Sequence, residues 1–92
     1  MIRTVRHRGL KRLFEKGDAS KIDPRVRDKL RRVLGLLQQA RTPQDMNLPG
    51  YVLHPLSGDL QGFWSVRVSA NWRVIFRIEN GDAFDVDLVD YH

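Results

Sequence analysis

The stretch that decides the fold is "FWSVRVSANWRVIFRIENGDAFDVDLVDYH", residues 63–92. Apolar and polar residues alternate along most of it, which is the pattern of β-strands that bury one face. Two clusters of turn-forming residues, Ser69-Ala70-Asn71 and Glu79-Asn80-Gly81, interrupt the alternation. The stretch therefore predicts three antiparallel strands that follow one another as a meander.

The even-numbered apolar residues predict which face of this sheet is buried. Directly opposed residues share a face, so a loop of three residues is needed to keep the even numbers together. We therefore expect Glu79-Asn80-Gly81 to form a three-residue loop with Gly81 left-handed in a bulge, instead of a two-residue Asn80-Gly81 turn. The predicted inward set is Trp64, Val66, Val68, Trp72, Val74, Phe76, Ile78, Phe84, Val86 and Leu88.

The same register predicts that two arginines lie opposite each other on the outer face. A Ser69-Ala70-Asn71 loop places Arg67 opposite Arg73, and Arg73 opposite Asp87. Like charges that are directly opposed are unfavourable unless something negative lies between them. Two interpretations stay open at this point. Asp87 neutralises the arginines at a solvated surface, or the arginines bind a phosphate group, which guanidinium groups suit well.

The first half of the chain predicts a short strand and a first helix. "IRTVR", residues 2–6, alternates apolar and basic residues as an edge strand does. "GLKRLFEKG", residues 9–17, has apolar residues at helical spacing and Gly17 as the stop.

The second helix is the clearer one, in residues 21–40. Asp23 is a good N-cap and Pro24 a good first helical residue. The apolar stripe of the helix is Val26, Leu30, Val33, Leu34 and Leu37.

A short strand is predicted in "YVLHPL", residues 51–56, and Pro55 argues for an edge position. The predicted fold class is α+β, with an N-terminal strand and two helices packed on a twisted, mainly antiparallel sheet, in a single domain over residues 1–92.

Composition narrows the kinds of function. The chain has 92 residues and no cysteine, which excludes disulfides, thiolate zinc sites and cysteine nucleophiles. Its three histidines are too widely spread in sequence to predict a metal cluster, so no metal or cofactor is expected. No run of 18 apolar residues and no signal-like N-terminus is present, so we expect a cytoplasmic protein without a membrane association.

The charge is strongly segregated. Residues 1–41 contain 13 Lys and Arg against 4 Asp and Glu, whereas residues 42–92 contain 3 against 7. A basic half of this kind indicates a polyanionic partner, either nucleic acid or an acidic protein, in preference to a merely solvated helix surface.

RNA cleavage is one reaction that the available side chains can perform. A ribose 2′-OH attacks the adjacent phosphate when a base removes its proton, an acid protonates the departing oxygen, and a cation stabilises the charged transition state. Imidazole suits the proton transfers and guanidinium the charge. The side chains of these types, with neighbouring proton-carrying groups, are His54, Arg67, Arg73, Asp90, Tyr91 and His92. From the residues alone, a structural role for His54 is the better interpretation.

Five ordered motifs carry a resemblance to a known family. They are L-H-P-L-x-G at 53–58, W-S-x-R-V at 64–68, N-W-R-x-x-F at 71–76, G-D-A at 81–83 and D-Y-H at 90–92. Together they resemble the HigB branch of the RelE/ParE superfamily of type II toxin–antitoxin toxins. The resemblance implies a toxin that enters the ribosomal A site, cleaves mRNA there as an endoribonuclease, and is neutralised by a cognate helix-turn-helix antitoxin. The helix arginines are then expected to dock onto rRNA or onto an acidic segment of the antitoxin.

The resemblance also implies roles for individual residues. It assigns Arg73 to the phosphate and His92, with His54, to proton transfer, while leaving open which histidine is acid and which is base. Tyr91 positions or stacks on a base and Asp90 orients a neighbour. Asn71 binds substrate.

One position departs from the family pattern. Ser57 stands where many relatives have a lysine, and Arg67 is a candidate substitute for its phosphate contact. The alternative function is a non-catalytic module that binds nucleic acid or protein through its basic helices. A toxin-like fold that has lost its activity is a third interpretation.

Overall fold

The computed structural model describes residues 1–90, and in this part of the chain two α-helices pack against one antiparallel sheet. Helix α1 spans Arg8–Lys16 and helix α2 spans Arg27–Gln39. The strands lie in the order in which they occur in the chain. They are β1 (His54–Pro55), β2 (Trp64–Arg67), β3 (Trp72–Glu79) and β4 (Asp82–Asp90). The predicted α+β class and the three-strand meander are confirmed.

Gly17 ends α1 as the sequence predicts, whereas α2 begins at Arg27, three residues later than predicted. His7 Nδ1 accepts a hydrogen bond from the Leu10 N–H (3.0 Å) at the start of α1. Gly17 ends that helix in the left-handed region (φ 67°), which favours glycine. Asp23 caps a 3₁₀ turn, Pro24–Val26, that leads into α2. Hydrogen bonds from Arg25 lower the pKa of Asp23 to about 2.

The core lies between the helices and the even-numbered face of the sheet. Phe76, Leu10, Leu30 and Leu37 are among its largest fully enclosed side chains. Burying each such side chain contributes about 1.5–3 kcal/mol. The helical stripe that the sequence predicts is entirely buried: Val26, Leu30, Val33, Leu34 and Leu37. Within residues 1–90, no helix has the length and apolar character needed to cross a bilayer.

The loop between β2 and β3 has the predicted form. Arg67 is the Cα partner of Arg73, and the N–H of Val68 donates to the Trp72 carbonyl (2.9 Å). Ser69, Ala70 and Asn71 therefore make the connection. The two arginines are directly opposed, as expected from the sequence.

The predicted loop between β3 and β4 is wrong. Glu79 pairs with Asp82, so Asn80 and Gly81 form a two-residue turn in which both residues have positive φ (52° and 81°). These values match the turn that best fits the twist of a β-hairpin. Arg77 consequently lies opposite Phe84, which takes Phe84 off the core face, and Ala83 is the buried residue in its place.

A bulge in β4 returns the even-numbered residues Val86 and Leu88 to the buried face of the sheet. The register shifts between Ile75 and Arg77, and Asp85 has the left-handed φ of a bulge residue (54°). Its N–H donates to Thr4 Oγ1 (2.7 Å). Beyond the bulge Ile75 pairs with Asp87 and Arg73 pairs with Val89. The predicted pairing of Arg73 with Asp87 is therefore wrong by two residues.

Ionic and aromatic contacts hold the bulge on the outer face. Arg77 donates to Asp85 Oδ2 through Nε (3.0 Å) and Nη2 (2.9 Å), and also contacts Glu79. Its guanidinium carbon lies 5.9 Å from the ring centre of Phe63 and 5.7 Å from that of Phe84. The Asp85 hydrogen bonds raise the pKa of Arg77. The contacts of Arg77 therefore stabilise the β3–β4 hairpin.

The predicted N-terminal strand is instead a pair of isolated bridges. Ile2 bridges to Ala83 and Val5 to Val86, both parallel to β4. Arg3 and Arg6 form ion pairs with Asp82 and Asp85 in the same region. The N-terminal segment therefore covers the free edge of β4, which is a common protection for an exposed strand edge.

Candidate active site

A cavity of about 130 Å³ brings two of the predicted catalytic residues together. It is lined by Val52, His54, Leu56, Ser65 and Arg73. His54 is the Cα partner of Ser65, so β1 places His54 beside β2. β3, on the other side of β2, supplies the guanidinium. The sheet thus joins the LHPL and NWR motifs, which are far apart in sequence.

Arg73 is fixed by the loop that precedes it. Its Nη1 donates to the Ser69 carbonyl (3.1 Å) and, at 3.4 Å, to the Trp72 carbonyl. A side chain held by backbone acceptors loses less conformational freedom when it binds an anion. Arg73 is half-buried and lines the cavity, so its position suits a contact with a phosphate.

Arg67 lies beside this cavity and is exposed. It is the Cα partner of Arg73, so the two side chains leave the same face of the sheet. The Arg67 N–H donates to the Tyr51 carbonyl (2.6 Å), which ties the start of the His54 segment to β2. Ser57, at the family's lysine position, is exposed three residues after His54.

Asn71 and Asp90 lie near the same end of the hairpin but outside the His54 cavity. Asn71 is exposed in the β2–β3 loop and lines a second cavity of about 230 Å³ with Trp72, Asp23 and Arg25. Asp90 is exposed and pairs with Trp72, so it belongs to the face of the sheet opposite Arg73. Trp72 packs against the core, as its parity predicts.

Two predicted site residues, Tyr91 and His92, lie outside the described residues. Of the other five, the structure gathers His54 and Arg73 in one cavity with Arg67 beside them. Asn71 and Asp90 flank the end of the hairpin. The residue types remain those that a metal-independent ribonuclease uses, because they offer proton transfer and a fixed positive charge.

Sequence reasoning missed three residues of the cavity wall: Val52, Leu56 and Ser65. None of the three has a titratable side chain, so a search of the sequence for acid, base or charged groups does not find them. Ser65 has a detectable pattern, because its odd number places a small polar residue on the Arg67 face of β2. It is buried despite being polar.

Comparisons with known sequences show which proteins this chain resembles. Residues 3–92 match the family model described as the RelE-like toxin of the type II toxin–antitoxin system HigB. The chain is 42% identical to Endoribonuclease HigB of Proteus vulgaris over 92 residues, covering 100% of both chains. That relative is an enzyme, which favours the catalytic interpretation over a binding module.

Solved structures show the same fold. YafQ of E. coli has a TM-score of 0.65 at 16% identity, covering 98% of this chain and 91% of that one. The toxin–antitoxin complex RelBE2 of Mycobacterium tuberculosis contains a chain with a TM-score of 0.55 at 18% identity, covering 100% of this chain and 96% of that one. At these identities the likeness concerns architecture.

Proposed function

This chain belongs to the family of HigB-type, RelE-like toxins, and we propose that it cuts mRNA in the ribosomal A site. Membership makes it an endoribonuclease toxin of a toxin–antitoxin system. The proposal adds the place of action, the reaction and the role of each residue. The observation that carries it is the shared cavity of His54 and Arg73.

The proposed reaction needs no cofactor. The 2′-OH of one nucleotide attacks the adjacent phosphorus and loses its proton to a base, and the P–O5′ bond breaks as an acid protonates the departing oxygen. The products are a 2′,3′-cyclic phosphate and a 5′-hydroxyl. Arg73 binds the phosphate and stabilises the negative charge that develops on its oxygens. His54 and His92 carry the two protons.

The remaining site residues bind and orient. Arg67, directly opposed to Arg73, adds a second positive charge near the phosphate. Asn71 contacts a nucleotide at the hairpin tip, Tyr91 stacks on a base, and Asp90 orients a neighbouring catalytic side chain.

The basic half of the chain is proposed to contact rRNA. Arg32 is exposed on α2, whereas Arg27 donates to the Ile22 carbonyl (3.0 Å) and Arg31 pairs with Asp28 (3.1 Å). Arg32 is therefore the better probe of a docking role. Contacts of this kind release counterions and weaken steeply with salt. We also propose a cytoplasmic location, where ribosomes are, a single toxin domain over residues 1–92, and a helix-turn-helix protein as the antitoxin.

A pair of substrates tests the reaction. The purified chain is mixed with ribosomes that carry an mRNA in the A site, and with the same mRNA containing a 2′-deoxynucleotide on the 5′ side of the cut. We expect cleavage of the first only, with cyclic phosphate and 5′-hydroxyl ends. Cleavage of the deoxy substrate would overturn the 2′-OH mechanism, and equal cleavage of ribosome-free mRNA would overturn ribosome dependence.

A further inference from the structure

Val52 has a backbone conformation that valine rarely adopts. Its φ is 50°, and among the described residues the other non-glycine residues with positive φ are Asn80 and Asp85. Those two serve a tight turn and a bulge, and Asn and Asp enter this region more readily than other residues. A β-branched residue there is a true outlier that costs about 1–3 kcal/mol.

The backbone on both sides of Val52 is fixed by contacts. Tyr51 is buried, its N–H donates to the Leu48 carbonyl (3.0 Å) and its carbonyl accepts from the Arg67 N–H (2.6 Å). The Lys29 ammonium lies 4.6 Å from the centre of the Tyr51 ring. On the other side, His54 pairs with Ser65. The chain must therefore turn at residue 52 to connect a buried tyrosine with an edge strand.

The fold gains little from the side chain that occupies this turn. Val52 is 59% exposed, so it contributes little buried area. Glycine would adopt the same backbone without strain. Val52 nevertheless lines the cavity that contains His54 and Arg73. An exposed apolar group held under strain at a reacting site is the pattern expected of a residue kept for a ligand contact.

We propose that Val52 is a substrate-positioning residue of the cleavage site. Its side chain, with Leu56 beside it, forms an apolar wall against which the nucleoside next to the scissile phosphate packs. That contact sets the angle at which the phosphate enters between His54 and Arg73. The inference rests on the proposed function, because it concerns the RNA bound in that site.

The test replaces Val52 and measures stability and cleavage separately. Val52→Gly removes the wall and the strain together, so its melting temperature should equal or exceed that of the unchanged chain. Its single-turnover cleavage of mRNA on saturating ribosomes should fall about ten- to hundredfold, as expected for a misplaced reacting group. Val52→Ile keeps an apolar, β-branched wall and should recover most of that loss.

Asn80→Gly is the matched control, since it relieves a similar φ of 52° far from the cavity. It should cleave at the unchanged rate. Cleavage by Val52→Gly at the unchanged rate would overturn the positioning role while leaving the proposed function intact. Loss of cleavage accompanied by a lowered melting temperature, with no recovery in Val52→Ile, would also overturn it. If the unchanged chain did not cut ribosome-bound mRNA, the proposed function itself would fail.

Discussion

Arg67 and Arg73 are directly opposed across β2 and β3, so two guanidinium-bearing side chains leave one face of the hairpin together. A like-charged cross-strand pair is destabilising. Asp87, the carboxylate that the sequence places opposite Arg73, pairs with Ile75 instead. Two guanidinium groups on one face suit the binding of an anion, and the proposed reaction supplies one as a phosphate.

Arg73→Ala should lower the single-turnover cleavage rate by about 10²–10³-fold, because it removes the charge that stabilises the transition state. Arg67→Ala is the matched variant on the same face and should have a smaller effect on the rate. It should also be no less stable than the unchanged chain, since it removes a like-charge pair. Full activity in Arg73→Ala would show that the phosphate is bound elsewhere.

His54→Gln should lower the cleavage rate by about 10²–10⁴-fold, the usual loss when a proton-transfer group is removed. His54 is exposed on a two-residue edge strand, so the variant should melt within a few degrees of the unchanged chain. His7→Gln is the control histidine, because His7 caps α1 away from the cavity. That variant should lose stability and keep its rate. If His54→Gln instead lost stability and kept its cleavage rate, His54 would have a structural role.

Thr4→Val should destabilise the chain by about 1 kcal/mol, because it removes the hydroxyl that accepts the Asp85 N–H at the bulge. Thr4→Ser keeps the acceptor and is the control. Urea denaturation measures both free energies of unfolding. If Thr4→Val and Thr4→Ser were equally stable, the hydroxyl would not support the bulge.

Acid should weaken the attachment of the N-terminal segment to β4. The hydrogen bond from Arg3 lowers the pKa of Asp82, and those from Arg77, with Arg6 adding to them, lower the pKa of Asp85. A carboxyl with a lowered pKa in the folded state stabilises it above the unfolded value, about 3.9. That contribution is lost as the pH falls through the folded pKa.

The melting temperature should therefore stay level from neutral pH down to about pH 4 and fall below it. The double variant Asp82→Asn, Asp85→Asn should melt lower at neutral pH and show a shallower fall in acid. Circular dichroism between pH 7 and 2 gives both curves. Parallel curves would exclude these two carboxylates as the cause.

Local chemistry accounts for most of what the sequence predicted about the fold. The helices follow from caps and from an apolar stripe within 20 residues, and the β2–β3 loop follows from parity alone. The β3–β4 register could not be predicted in this way. Its bulge depends on Thr4, which is 81 residues from Asp85 in sequence, and on Arg6 and Arg77 around the Asp85 carboxylate.

The candidate site divides along a similar line. His54 and Arg73 were found because their side chains have recognisable chemistry and recognisable motifs. Val52 was missed because nothing in the sequence reports a positive φ at a valine. That angle arises from the anchoring of Tyr51 and the pairing of His54 with Ser65.

Mapping mRNA 5′-ends in translating bacteria tests the central claim most directly. The unchanged chain and Arg73→Ala are induced separately at matched levels, with and without an antibiotic that clears mRNA from ribosomes. We expect new 5′-hydroxyl ends at a fixed position within codons for the unchanged chain. These ends should be absent in Arg73→Ala and should disappear when translation is blocked. The absence of new ends from the unchanged chain, or their persistence on untranslated mRNA, would contradict ribosome-dependent cleavage.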